Sequence, residues 1–115
     1  MILQFDLPKS AASCIQLERG ERIYYTVPFD VAENSKWLPD SYLAVSTRHL
    51  WVIQKGELRE KIRLSECRNA RAEAKIGCGL LVLEHNGLQR YIVQYSAKHL
   101  SRYAYVARGI NILIS

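Results

Sequence analysis

Paired cysteines, clustered histidines and long apolar runs are all missing from this 115-residue chain. Its cysteines are Cys14, Cys67 and Cys78, an odd number at wide spacing with no CxxC pair. That excludes a local zinc ribbon or dithiol redox motif and fits reduced, buried thiols of a cytosolic protein. No stretch reaches the roughly 18 apolar residues of a membrane span. The start, Met1-Ile2-Leu3-Gln4-Phe5-Asp6-Leu7-Pro8, lacks the basic head and apolar run of a signal peptide. The expectation is a soluble, cytoplasmic chain. His49, His85 and His99 are dispersed without HxH or HExxH spacing, so each reads as a surface or turn histidine, with no metal and no cofactor expected. There is no GxxxxGK[ST] phosphate loop and no contiguous Ser-His-Asp or Cys-His arrangement. Cys78, between two glycines, reads as a small residue filling a tight turn. The chain is expected not to be an enzyme.

Hydrophobic content of 49% and charged content of 23% are those of one ordinary globular domain. Sixteen Lys+Arg against 11 Asp+Glu leave a formal charge of +5, which permits an anionic partner without naming one. Arg59, Lys61 and Arg63, with Arg68 and Arg71, form a basic stripe. Glu57, Glu60, Glu66 and Glu73 interrupt it, so it reads as a solvated strand face and argues against nucleic acid.

The pattern of residues 20–96 is that of short strands. Glu21-Arg22-Ile23-Tyr24-Tyr25-Thr26-Val27 is β-branched and aromatic, and Pro28 marks an edge or a bend. A loop spans 32–40. Tyr42–Ser46 and Leu50–Ile53 flank a reversal at Thr47-Arg48, and Lys55-Gly56 supplies another turn. Beyond it Leu58, Ile62 and Leu64 alternate with Glu57, Arg59, Lys61 and Arg63. Ala70, Ala72, Ala74 and Ile76 then alternate with Arg71, Glu73 and Lys75. Asn86-Gly87 is a strong hairpin signal between Leu80–Leu83 and Tyr91–Tyr95.

From Ser96, the expected N-cap, an amphipathic helix is predicted over 97–114, with Leu100, Tyr103, Ala107, Ile110 and Ile114 on one stripe. Residues 1–19 form a lead-in, either a short helix within 10–17 or a segment packed on the domain edge. The predicted fold is one mainly β domain over 1–115. It is a roll, or partly open barrel, of about seven antiparallel strands whose open end the helix plugs.

Gly20–Tyr25, Tyr42–Leu50 with its Ser46-Thr47-Arg48 step, and Tyr95–Tyr103 resemble stretches of bacterial pleckstrin-homology-like (PH-like) domains. The likeness covers about 18–114 and is similar to a version placed before the membrane and nucleotide-binding parts of bacterial ABC exporters. The ending, Ile112-Leu113-Ile114-Ser115 without a polar tail, is that expected of an excised domain. The resemblance implies a non-catalytic interaction or regulatory module at the N-terminus of an exporter, at the cytosolic face of the inner membrane. Its partner would be another protein, the rest of the parent, or a second copy pairing through an exposed sheet edge. The alternative it implies is a peripheral membrane module reading anionic lipid headgroups. The candidate contacts are Lys36, Trp37, Arg22 and Arg48. Trp37 either enters a membrane interface or pins its loop to the barrel.

Overall fold

Two hairpin turns set the strand ladder. Lys55-Gly56 (φ 53° and 80°) and Asn86-Gly87 (φ 52° and 83°) each place two residues in the left-handed region, the requirement of the tight turn whose twist matches the flanking strands. In a computed structural model, residues 3–115 are described; Met1 and Ile2, the first residues of the expected lead-in, lie outside them. Among the described residues the chain is mainly β, with eight strands in two sheets. One sheet runs β1 (Leu3–Gln4), β2 (Ile23–Pro28), β3 (Tyr42–Ser46), β4 (His49–Gln54), β5 (Glu57–Arg63) in spatial order. The other runs β6 (Cys67–Lys75), β7 (Cys78–His85), β8 (Leu88–Ser96). β2 to β8 are the seven expected strands and pair antiparallel. The eighth, β1, lies parallel to β2 with Leu3 opposite Tyr25. Among the described residues the sheets do not close into a barrel.

The two inner faces and the C-terminal helix, α2 (Leu100–Ile114), share one core. Val27, Leu43, Val45 and Leu50 come from the first sheet, Leu81, Leu83 and Tyr95 from the second, and Tyr103, Val106 and Ile110 from the helix; all are fully buried. The rings of Tyr95 and Tyr103 stack at 3.9 Å and 5°. Gly109 lies on the buried face of α2, where a Cβ would overlap the Tyr25 hydroxyl.

The lead-in covers the back of the larger sheet. A short helix, α1 (Lys9–Ala12), with Leu7, Cys14 and Ile15 packs over Ala44, Trp51 and Ile53. β3 and β4 are therefore buried on both faces, which is why their sequences read as apolar runs rather than alternation. The lead-in thus does both things expected of it: β1 lies on the sheet edge beside β2, and the short helix, at Lys9–Ala12, packs on the sheet face.

Several expectations are corrected. The helix begins at Leu100, after a 3-10 turn over Ala97–His99. Ser96 does not cap it: its amide and hydroxyl both donate to Asp30 (2.7 and 2.6 Å), tying the loop after β2 to the start of the helix. Leu58 is 44% exposed and Ala74 is exposed. Irregularities at Val52/Ile53 and between Arg68 and Arg71, where Asn69 has φ 54°, shift which side chains face inward. His49 and His99 are buried, not superficial. Only Cys67 is a buried thiol; Cys14 and Cys78 are half-buried, and Cys78 opens β7 while Gly77 (φ 75°) makes the turn. No helix among the described residues is long and apolar enough to cross a membrane.

Candidate functional site

The four candidate contacts do not converge. Arg22 precedes β2, and its amide donates to Thr47 Oγ1 (3.3 Å), so it sits with Arg48 at the β3–β4 turn. Lys36 and Trp37 follow the opposite end of β2, separated by six strand residues, about 20 Å at ~3.3 Å per residue. Two separate surfaces result.

At the Lys36 end the loop folds on itself. The Ala32 amide donates to the Lys36 carbonyl (2.7 Å) and Val31 pairs with Trp37. Leu38, buried, pins the loop to the core, whereas Trp37 is 73% exposed. The pinning role expected of Trp37 belongs to its neighbour. Val31 also pairs with Gln94, its amide donating to the Gln94 carbonyl (3.3 Å). Among the described residues that rung is the only strand pairing on the outer edge of β8, and with the Ser96 amide bond to Asp30 it occupies only the C-terminal part of that edge.

Beside this edge lies a cleft of about 930 Å³ between the two sheets. Phe29, Leu38, Val52 and Ile92 give it an apolar floor, and Arg59, Glu60 and Arg90 a polar rim. One Arg90 nitrogen donates to both Glu60 oxygens at 2.7 Å, linking β8 to β5 across the mouth. Arg59 donates to Gln54 (3.1 Å). Tyr91 and Leu88 stand 60% and 72% exposed on β8. The alternation of the sequence could not locate this cleft, because it forms where strands 30 residues apart meet.

At the Arg48 end the centre is Glu21, whose side chain is fully buried. It accepts from the Ser46 hydroxyl, from His49 Nδ1 (2.8 Å) and from the Glu18 amide (2.8 Å). Burial pushes the Glu21 carboxyl up, but these donors outweigh it and hold it below the usual carboxylate range. The Ser46 oxygen in turn accepts the Arg48 and His49 amides (3.0 and 2.9 Å). The Ser46 hydroxyl donates to Glu21 and not to the imidazole, and Ser46 is fully buried. Glu18, Glu21 and His49 present donor atoms within 4.8 Å of one another, the one such grouping among the described residues. Glu21 is saturated by its hydrogen bonds and Glu18 is paired with Arg48 Nη1 (3.0 Å), so the grouping reads as a turn-locking network. Sequence spacing missed it because residues 18 and 49 are far apart in the chain.

His99 is buried near Asp30 (3.6 Å) and Arg102 (3.0 Å). Burial lowers its pKa, Asp30 opposes this, and Arg102 and Lys98 add to it. Burial and Glu66 raise the pKa of the Cys67 thiol, keeping it protonated and inert. No family model matches the chain, and no curated protein matches it.

Proposed function

We propose that this chain is a non-catalytic interaction module on a PH-like roll, and that it takes an extended segment of a protein partner in the cleft beside β8. The observation that carries this reading is an open strand edge running beside an apolar floor. A segment laid there would gain main-chain hydrogen bonds from β8 and side-chain contacts from Phe29, Leu38 and Ile92. The groove between β6 and α2 is the competing location, and it is obstructed by a side chain of the helix. The likeness of 42–50 and 95–103 to domains preceding exporter machinery supports a place at the N-terminus of a bacterial ABC exporter, with the partner segment belonging to the same protein or to its cargo.

The test is a photo-crosslinker at Tyr91 in the full-length protein, with Tyr91→Asp as the matched variant. Capture of one defined segment, together with slowed amide exchange along β8, is the expected result. Capture at 91 that is no more specific than at Lys75, or slowed exchange confined to α2, overturns the reading.

A second reading rests on Trp37. Its 73% exposure beside Lys36 is the arrangement of a residue that enters a membrane interface. Anionic vesicles should then bind the domain, and Trp37→Ala should remove most of that binding. Equal binding by both proteins sinks this reading.

A further inference from the structure

We infer that the cleft at the β3–β4 turn, at the end of the molecule away from Trp37, is a binding site for a phosphate monoester. The cleft has a volume of about 270 Å³. Arg48, Arg63, Thr47, Ser65 and Glu18 line it together with the apolar Leu113 and Ile114. His49 and Arg63 are cross-strand partners, which places the second arginine beside the turn that carries the first.

The side chains lining the cleft carry a positive surplus, Arg48 and Arg63 against Glu18, offset in part by the carbonyl end of α2 at Leu113 and Ile114. Among the described residues no ion pair or hydrogen bond engages the Arg63 guanidinium. Arg48 holds Glu18, but the side chains of both are about half exposed (51% and 50%), and an ion pair so exposed is weak. A dianion could displace Glu18 and accept from both guanidinium forks. Glu21, the other nearby carboxylate, is buried and fully hydrogen-bonded, so it does not compete for either arginine. The Thr47 oxygen accepts the Arg22 amide (3.3 Å), leaving its hydroxyl proton to donate into the cleft, and Ser65 adds a second hydroxyl. Leu113 and Ile114, both half-buried, give the carbon skeleton of the ester an apolar contact. Two guanidinium forks, two hydroxyl donors and an apolar side match a phosphate ester better than a free inorganic anion.

Glycerol 3-phosphate, and vesicles of phosphatidylcholine containing phosphatidic acid, separate a soluble ester from a lipid headgroup. Titration followed by amide chemical shifts should give saturable shifts at Thr47, Arg48 and Ser65. Binding should weaken about tenfold or more in Arg48→Gln and in Arg63→Gln. Lys75→Gln, which removes an equal charge from the other sheet, should change little. Binding to vesicles alone, still requiring both arginines, assigns the site to a lipid headgroup. Absence of saturable shifts with either probe, or equal weakening in all three variants, overturns the proposal. So does an Arg63→Gln variant that melts earlier yet binds normally, since the arginines would then serve only as counter-charges to the carbonyl end of α2.

Discussion

Asn111 closes the edge of β6 at Ala70: its Oδ1 accepts the Ala70 amide and its Nδ2 donates to the Ala70 carbonyl, both at 2.8 Å. One side-chain amide thus imitates a neighbouring strand at the rung beside the Asn69 irregularity. An edge so occupied is protected from pairing with another chain.

Asn111→Ala should therefore do two things. Losing two hydrogen bonds at ~0.5–1.5 kcal/mol each costs about 1–3 kcal/mol, and each kcal/mol should lower the melting temperature by roughly 4–8 °C. The freed edge should also raise self-association. Thermal melts and size-exclusion chromatography over a concentration series read both effects.

Gly109→Ala should destabilise although alanine is the better helix former. The new methyl would collide with the Tyr25 hydroxyl, and forcing apart a packed core costs typically 1–3 kcal/mol. Pairing it with Tyr25→Phe, which removes that hydroxyl, should recover part of the loss. A double-mutant cycle in urea checks this; simple additivity would show that the contact is not the cause.

The lead-in is expected to act as part of the core. Removing residues 1–19 exposes Trp51, Ala44 and Ile53, which it covers. In a Trp37→Phe background, where Trp51 is the remaining tryptophan, emission should shift from a buried to a solvated signature and the urea midpoint should fall. An unchanged spectrum would mean that the segment does not cover this face.

Acid should weaken the fold in two steps of the same sign. His99 has a folded pKa below its ordinary 6.5, so the unfolded chain takes up a proton first. Stability is full above about 6.5 and declines as pH falls toward the folded value. Glu21 is likewise held below its ordinary 4.5, and its contribution is lost as pH falls through the range beneath 4.5. His99→Gln should flatten the upper step and Glu21→Gln the lower one, in urea titrations across pH.

Local chemistry was enough to read most of the ladder. Lys55-Gly56 and Asn86-Gly87 need left-handed backbone that few other dipeptides tolerate, and the period of α2 follows from Tyr103, Ala107 and Ile110 recurring on one face. These are interactions between near neighbours in the chain, so the residues alone determined them. The parallel pairing of β1, the burial of Trp51 beneath the lead-in, the exposure of Trp37 in place of Leu38 and the separation of Arg22 and Arg48 from Lys36 were decided only by tertiary structure. The same holds for the hydrogen-bond set around Glu21 and for both clefts. Each depends on strands distant in sequence meeting across a gap, and on single-residue irregularities that flip which side chain faces inward. Neither leaves a periodic trace.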